Sequence, residues 1–200
     1  MARTVRAYVG LGANVGDARA TLGAAVAALA ALPGARRQGV SRLYRTAPVG
    51  VVDQPDFLNA VVALDVPAGT DPATGASALL IALKQLERAF GRQQRKRWGP
   101  RELDLDLLVF GADRLSIERP PGGRSNDPAK APAPLTVPHP EAQHRLFVLA
   151  PLFDLAPGLV PPGWGETVAT ARARQERDEG PDAVVPIGVW DEERGAWTEA

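Results

Sequence analysis

Residues 91–110, GRQQRKRWGPRELDLDLLVF, place a run of cations directly before two carboxylates. Residues 103–107 alternate leucine and aspartate, a pattern that predicts a half-buried β-strand. Side chains two positions apart on a strand point to the same face, so Asp104 and Asp106 would lie roughly 7 Å apart. Carboxylates this close repel each other unless a cation lies between them. A hard divalent cation such as Mg²⁺, which usually also binds phosphate, fits that requirement.

The basic part of this stretch supports the same hypothesis. Guanidinium groups present planar pairs of donors to phosphate oxygens. Gly99-Pro100 predicts a turn that lets cations and carboxylates face one cavity. Each part alone has an ordinary explanation, because an acidic alternation can be a solvated edge strand and a basic run can be a hydrated loop. Their adjacency favours a Mg-polyphosphate site, whose cations are Arg92, Arg95, Lys96, Arg97 and Arg101.

The composition restricts the class of protein. Its 200 residues are enough for one domain with a hydrophobic core, and the hydrophobic fraction of 45% is ordinary. The formal net charge is zero, so no overall charge draws the chain to nucleic acid or to a membrane. The lack of cysteine excludes disulfides and thiolate metal sites. No apolar run could span a bilayer and no signal peptide is recognisable, so we expect a cytoplasmic protein.

Alternating strands and helices follow from the rest of the pattern. Asp17 is a candidate N-cap, and Pro33-Gly34 ends the helix that it opens. Asp71-Pro72 opens a second helix, which Gly91 ends. The predicted strands are residues 6–12, 37–44, 57–66 and 103–107, and a short helix over residues 143–155 is expected to break at Pro151.

Two regions have a less regular pattern. Residues 119–134 are rich in proline, glycine and polar residues, which predicts a flexible surface loop. The charged C-terminal part ends in residues 184–190 and Trp197, which predicts a helix and a loosely attached strand. We therefore divide the chain into a catalytic domain over residues 1–165 and an extension over residues 166–200. The sequence leaves open whether the extension folds back or binds a partner.

Familiar nucleotide-binding motifs do not occur. Gly10 and Gly12 could begin the pattern GxGxxG, but Val15 stands where the third glycine is needed. The P-loop pattern GxxxxGK[ST] is also missing. We expect Gly10, Gly12 and Gly16 to permit a tight turn between the first strand and the first helix.

Several polar and aromatic residues are candidates for ligand binding. Asn59 lies two residues from Phe57 on a predicted strand, so both share a face that could bind a flat, amide-bearing ring. Asn59 could equally be a satisfied core residue. Arg145 could reach a phosphate and Phe147 could stack on a ring, although a surface arginine and a core phenylalanine explain them as well.

Two further titratable residues have weaker patterns. Glu87 lies in the last turn of the second helix, where the macrodipole disfavours a carboxylate by about 0.3–1 kcal/mol. That position hints at a partner, but a solvated glutamate is the simpler explanation. His139 is held between two prolines. A lone histidine is more often structural, yet little helix or strand pattern surrounds this one.

The motifs together resemble one enzyme family. Over residues 5–160 the chain is similar to the 6-hydroxymethyl-7,8-dihydropterin pyrophosphokinases of folate biosynthesis. The motifs that carry the resemblance occur in the family's order and are Leu11-Gly12-Ala13-Asn14, Tyr44-Arg45-Thr46, Asp53-Gln54-Pro55-Asp56-Phe57-Leu58-Asn59, Arg97-Trp98-Gly99-Pro100-Arg101, Leu103-Asp104-Leu105-Asp106 and Val137-Pro138-His139-Pro140.

The resemblance implies both a fold and a reaction. The fold is α+β, a ferredoxin-like three-layer α/β/α sandwich with a mainly antiparallel sheet. The reaction moves the β,γ-diphosphate of ATP onto the hydroxymethyl group of the dihydropterin and releases AMP. Two Mg²⁺ ions bound with ATP are the implied cofactors. ATP and the dihydropterin are the implied partners of a monomer, with no nucleic acid and no membrane involved.

The resemblance also implies roles for individual residues. The catalytic residues are Arg92, Arg101, Asp104 and Asp106, of which Asp104 and Asp106 hold the metal ions. The pterin is bound by Thr46, Val49, Phe57, Asn59, Trp98 and Phe147. The nucleotide is bound by Glu87, Arg92, Arg97, Trp98, Arg101, Leu107, Thr136, His139 and Arg145.

Two departures and two rival functions accompany this resemblance. Ala47 replaces the first of two prolines often found after the threonine of the family motif, and Pro134 stands where a basic nucleotide contact is expected. One rival is another Mg-ATP phosphotransferase on a ferredoxin-like fold, which would release ADP. The other is a nucleic-acid-binding module with Trp98 as a stacking platform, although zero net charge argues against it.

Overall fold

The structure is a computed structural model and describes residues 3–48, 53–93, 99–124 and 133–199. The strands are β1 Thr4–Ala13, β2 Arg36–Val40, β3 Leu43–Thr46, β4 Phe57–Pro67, β5 Asp104–Phe110, β6 Leu115–Ile117, β7 Leu135–Val137, β8 Val184–Asp191 and β9 Ala196–Thr198. The helices are α1 Ala18–Ala30, α2 Pro72–Ala89, α3 Leu146–Leu155 and α4 Val168–Glu179.

The two long helices begin where the capping residues predict. Asp17 Oδ1 accepts a hydrogen bond from the backbone N–H of Ala20 at 3.0 Å. Asp71 Oδ1 accepts one from the backbone N–H of Thr74 at 2.9 Å, and Pro72 occupies the first turn of α2. Each carboxylate satisfies a helix N–H that has no partner inside the helix.

The main sheet has the ferredoxin-like order. Its strands run β5-β1-β4-β3-β8-β9, with β2 also paired to β4, and each of these pairings is antiparallel. The two β-α-β halves, β1-α1-β2 and β4-α2-β5, interleave so that β1 and β4 lie side by side. This arrangement confirms the predicted fold class. A separate hairpin pairs β6 with β7.

Helices cover both faces of the sheet, which makes three layers. On one face, Val9 and Leu11 of β1 belong to the same buried cluster as Leu22 of α1 and Leu83 of α2. On the opposite face the buried cluster joins β-strand residues to α3 and α4 and contains Tyr8, Val61, Leu149, Leu152, Val168 and Ala171. Each face buries apolar side chains from alternate strand positions, as the pleat requires.

The C-terminal extension is part of this fold. Strand β8 pairs with β3, placing Val184 opposite Thr46. Trp197 is 4% exposed in the main core, and its Nε1 donates to the carbonyl of Ser41 at 2.8 Å. The prediction of a loosely attached strand is therefore wrong, because β8 adds an ordered edge to the sheet. Whether residue 165 bounds a domain stays a prediction.

The predicted strand 37–44 and the predicted helix break also need correction. The strand is two strands, β2 and β3, which are separated by Ser41 and Arg42. Ser41 Oγ accepts from the backbone N–H of Val61 at 2.9 Å, and this hydrogen bond holds the interruption against β4. Helix α3 continues through Pro151, which is buried, although the carbonyl of Phe147 thereby loses its usual donor.

The predicted loop over residues 119–134 is described in part. Residues 121–123 form a short 3₁₀ helix, and residues 125–132 lie outside the described residues. Across the four described ranges, no helix has the length and apolar character needed to cross a membrane.

Candidate active site

A cavity opens on the α3 face of the sheet at the ends of β1, β4 and β5. It collects residues from four strands, from α3 and from the segment that precedes β5. Its lining residues are Gly10, Leu11, Gly12, Thr46, Ala47, Phe57, Asn59, Ala60, Val61, Gly99, Arg101, Asp104, Asp106, Leu108, Arg145, Phe147 and Val148.

The strand register places an amide, a glycine and a carboxylate in one row across the sheet. Gly12 of β1 lies opposite Asn59 of β4 on one side and opposite Asp104 of β5 on the other. One row deeper, Gly10 lies opposite Asp106. Neighbouring strands lie about 4.8 Å apart, so the amide and the carboxylate stand roughly 10 Å from each other across the glycine strand.

The two glycines leave room at the base of this cavity, because neither has a side chain that would project into it. A Cβ added to Gly12 would lie 3.3 Å from Asn59 Oδ1, and one added to Gly10 would lie 3.4 Å from the Leu108 side chain. Both glycines lie inside β1, so the expectation that they form a turn is wrong for them. Gly16, with φ of +63°, does lie in the turn before α1.

The Asn59 end of the row is suited to a flat polar ring. Asn59 is 7% exposed, and its Nδ2 donates to Thr46 Oγ1 at 2.9 Å. This bond fixes the orientation of the amide, which leaves its oxygen available as an acceptor. Phe57 and Phe147 line the same cavity from β4 and from α3, and the guanidinium of Arg145 lies 5.7 Å from the Phe147 ring centre. Two aromatic rings beside an oriented amide can bind a heterocycle.

Glu87 anchors an ion-pair network beneath the carboxylate end. Its side chain is 1% exposed, and Oε1 accepts from Lys84 Nζ and from the backbone N–H of Leu105, both at 2.7 Å. The same oxygen lies 2.5 Å from Nη1 of Arg92. Nη1 of Arg92 also lies 2.5 Å from Oδ1 of Asp104. The network therefore ties α2 to β5 and holds Asp104 from below.

Burial and charge oppose each other within this network. Burial raises the pKa of Glu87, while the positive charge of Lys84 acts to lower it. Burial acts to lower the pKa of Arg92, but the charges of Asp104 and Glu87 outweigh it and raise the pKa. Arginine keeps its proton in any case, so Arg92 is a fixed cation at the base of the carboxylate pair.

Asn14 joins the two segments that border the cavity. Its Nδ2 donates to Gln54 Oε1 at 3.1 Å and to the carbonyl of Pro55 at 2.9 Å. Its Oδ1 accepts from the backbone N–H of Arg101 at 2.7 Å, and its own N–H donates to the carbonyl of Arg101 at 2.9 Å. Asn14 is 4% exposed. One buried side chain thus fixes the approach of both segments to the end of β1.

The carboxylate pair is suited to Mg²⁺ that is shared with a ligand, and less to Mg²⁺ bound by protein groups alone. Asp104 and Asp106 are half-buried and line the open cavity, with Arg101 beside them. Within the described ranges no cluster of three or more acidic or histidine side chains could hold a metal by itself. Mg²⁺ is commonly held by one or two carboxylates together with substrate phosphates and water. The residues present therefore fit Mg²⁺ bound with a polyphosphate.

The structure brings many of the predicted site residues together. Those that line the cavity are Thr46, Phe57, Asn59, Arg101, Asp104, Asp106, Arg145 and Phe147. Glu87 on α2 and Leu107 on β5 are not among these lining residues, because their side chains are buried on the opposite face of the sheet at 1% and 3% exposure. Arg92 is buried with them. Their contacts to nucleotide stay predictions.

The other predicted site residues lie on β7, shortly after β7, or outside the described ranges. Thr136 lies on β7 opposite Ser116. The backbone N–H of His139 donates to the carbonyl of Leu108 at 2.8 Å, which places the histidine against β5. The remaining predicted residues, Val49, Arg97 and Trp98, lie outside the described residues.

Sequence reasoning missed the roles of Gly10, Gly12, Asn14 and Lys84. The glycines and Asn14 stand in or beside the Leu11-Gly12-Ala13-Asn14 motif. Their partners come from β4, β5 and the segments on either side of the cavity, far away in sequence. The motif was the sequence signal that could have pointed to these residues. No local pattern, however, shows which distant residues the motif contacts.

Comparison with known proteins identifies the family. The model for 7,8-dihydro-6-hydroxymethylpterin-pyrophosphokinase (HPPK) matches residues 8–157. The chain belongs to the HPPK family. Two relatives bear the name 2-amino-4-hydroxy-6-hydroxymethyldihydropteridine pyrophosphokinase. The protein from Methylorubrum extorquens is 42% identical over 84% of this chain and 92% of the relative. The protein from Pseudomonas aeruginosa is 43% identical over 77% of this chain and 82% of the relative.

Solved structures extend the HPPK likeness to the whole chain at the level of the fold. The crystal structure of wild-type Plasmodium falciparum HPPK-DHPS superposes with a TM-score of 0.70 at 14% identity. That alignment covers 100% of this chain and 50% of the Plasmodium chain. This HPPK-family chain therefore spans about half the length of that longer protein.

Proposed function

We propose that this chain transfers the β,γ-diphosphate of ATP to the hydroxymethyl group of 6-hydroxymethyl-7,8-dihydropterin, releasing AMP, as a step of folate biosynthesis. The observation that carries the proposal is the row Asn59–Gly12–Asp104. In this row, an amide suited to a flat polar ring lies about 10 Å from a carboxylate pair within one cavity, which supports the proposal. Family membership supports the same substrates.

The chain's own residues perform positioning more than covalent chemistry. Asn59 and Thr46 orient the pterin, and Phe57 and Phe147 hold its faces, so that the hydroxymethyl group points across β1 towards β5. Its oxygen forms a bond to the β-phosphorus while the bond from that phosphorus to the α-phosphate oxygen breaks. Holding both reactants in line can supply much of the rate enhancement.

The carboxylates and cations neutralise charge on the phosphates. Asp104 and Asp106 would hold Mg²⁺, which supplies electrostatic stabilisation of the charge on the phosphate oxygens. Arg101 lines the cavity beside them, and Arg92 fixes Asp104 from below. Among the described lining residues, no histidine is present, and the carboxylates are those assigned to the metal. The hydroxyl proton therefore leaves to water or to one of these carboxylates.

The size and charge of the molecule favour two small-molecule partners. We further propose a cytoplasmic monomer that acts on ATP and the dihydropterin without nucleic acid or a membrane, because the net charge is zero and the cavity suits single small ligands. Sedimentation at working concentration tests the monomer. A dimer would contradict that part.

Requirements for nucleotide turnover test the activity. ATP is incubated with the protein, Mg²⁺ and 6-hydroxymethyl-7,8-dihydropterin, the metal and the pterin are each omitted in turn, and the nucleotides are separated. We expect AMP in the complete mixture and intact ATP in each omission. AMP without pterin would point to an ATP pyrophosphatase, and no product in the complete mixture would contradict the proposal.

A further inference from the structure

The C-terminal extension touches the ring-binding half of the cavity. Strand β8 pairs with β3, and Val184 lies opposite Thr46, whose hydroxyl holds the Asn59 amide. Between β8 and β5 lie the three strands β3, β4 and β1. The extension is thus roughly 19 Å, or four strand spacings, from the carboxylates of β5.

A second contact from the extension lies at the start of α3. The N-cap of α3 is Arg145, whose side chain does not cap the helix. The first N–H of α3, from Leu146, instead donates to Oε1 of Glu179 at 2.9 Å. Glu179 is the last residue of α4. A carboxylate at a helix N-terminus satisfies a free donor and also complements the helix dipole.

The residues on either side of this hydrogen bond belong to the cavity. Arg145 and Phe147 flank Leu146 in sequence, and both line the cavity. Leu146 is buried in a small cluster with Tyr44 and Val184, against which Phe147 packs. The direction of the Phe147 ring therefore depends on how firmly the first turn of α3 is held from outside.

We propose that Glu179 is a positioning residue for pterin binding. It acts by capping α3 from α4 and thereby holds Phe147 at the cavity, whereas Arg145 is held separately by its ion pair with Glu141 at 3.2 Å. The inference rests on the proposed function, since the pterin is the ring concerned. It assigns a role to residues beyond 157, where the match to the family model ends. The consequence is selective: loss of the cap weakens pterin binding and leaves Mg-ATP binding unchanged.

The test compares three full-length variants. Glu179→Ala removes the acceptor, and Glu179→Gln keeps an amide oxygen that can accept the same hydrogen bond. Asp178→Ala removes an exposed carboxylate from the same last turn and is the matched control. We expect Glu179→Ala to raise the pterin KM about three- to tenfold, as for the loss of a helix cap. The ATP KM and the kcat of Glu179→Ala should stay within about twofold of wild type. For Glu179→Gln, the pterin KM should also stay within about twofold of wild type.

Binding measurements test the role of Glu179 separately from the proposed diphosphate-transfer activity. Dihydropterin and a non-hydrolysable ATP analogue with Mg²⁺ are titrated separately by calorimetry, and thermal unfolding is recorded for each variant. If wild type forms AMP and Glu179→Ala binds pterin as tightly as Asp178→Ala does, the inference is overturned. An equal loss of affinity for the pterin and for the ATP analogue in Glu179→Ala would also overturn the inference, since it would indicate general destabilisation. Failure of wild type to form AMP would instead refute the proposed function.

Discussion

At the scale of single residues, the two aspartates of β5 stand on one face with different support. Asp104 is held by Arg92, whereas Asp106 lies one row deeper, opposite Gly10. The alternation of residues 103–107 was enough to predict their shared face. It could not predict Arg92 as the support of Asp104, since that contact depends on where α2 ends relative to β5.

Replacing Asp106 by asparagine tests the metal-binding role. Asparagine has nearly the same volume and the position is half-buried, so the fold should survive. The loss of one metal-facing charge should lower turnover by at least about 10²-fold. AMP formation at saturating substrates measures the effect, and thermal unfolding checks the fold. Asp113→Asn, just past the other end of β5, is the control and should keep wild-type turnover. Near-normal turnover in Asp106→Asn would contradict the assignment.

Asn14 gives a second prediction at the same scale. Asn14→Asp keeps the oxygen that accepts from Arg101 but loses the N–H donors to Gln54 and Pro55. Because both segments border the cavity, we expect the KM for pterin and the KM for ATP to rise together, by about tenfold for a disrupted buried hydrogen-bond pair. Steady-state kinetics with each substrate varied in turn measures this. A change in one KM alone would show that Asn14 does not couple the segments.

At the scale of elements, the sequence pattern predicted the strands and helices that depend on local periodicity and capping, and missed those that depend on tertiary contacts. Strands β1 and β4 and helices α1 and α2 follow from periodicity and from the caps Asp17 and Asp71. The interruption between β2 and β3 was missed, because it depends on hydrogen bonds between Ser41 and Val61 of a distant strand. The continuation of α3 through Pro151 was missed for a similar reason, since tertiary burial outweighs the cost of proline there.

The cap of α2 makes stability depend on pH. The side-chain and backbone hydrogen bonds from Thr74 lower the pKa of Asp71 below its ordinary value of 3.8. A carboxyl whose folded pKa is lowered stabilises the fold above the unfolded value and loses that contribution as the pH falls through the folded pKa. Asp71→Ala should therefore lower the free energy of unfolding at pH near 7.

Urea unfolding at several pH values checks this cap. The difference between wild type and Asp71→Ala should shrink steadily below pH 3.8, where the wild-type carboxyl gains its proton. Asp71→Asn, which also caps helices well, should stay close to wild type at neutral pH. A difference between wild type and Asp71→Ala that does not depend on pH would contradict the ionic part of the explanation.

At the scale of the whole molecule, the extension completes the sheet and the core. Its charged helix and short strands gave no sign of where they dock, because the docking surface is the edge of β3 and the break at Ser41. Arg19 of α1 adds to the attachment, with Nη2 donating to the carbonyl of Ile187 at 3.1 Å. The sequence revealed the elements of the extension, but not its neighbours.

Trp197→Ala tests this integration. The ring is 4% exposed in the main core and its Nε1 is bonded to Ser41, so we expect a loss of about 3–5 kcal/mol in the free energy of unfolding. Chemical denaturation of wild type should show one cooperative transition. Val189→Ala, at a β8 side chain that is 47% exposed, should change stability far less. A separate early transition for the extension, unaffected by Trp197→Ala, would show that it folds independently.

The central claim is that one cavity joins a pterin to the β-phosphorus of ATP. The most direct measurement uses two samples of ATP, one labelled on the β-phosphate and one on the γ-phosphate, each with Mg²⁺ and 6-hydroxymethyl-7,8-dihydropterin. We expect both labels to appear on the pterin product, with unlabelled AMP as the other product. Only the γ-label on the pterin, together with β-labelled ADP, would contradict diphosphate transfer and assign the cavity to a phosphotransferase of a different kind.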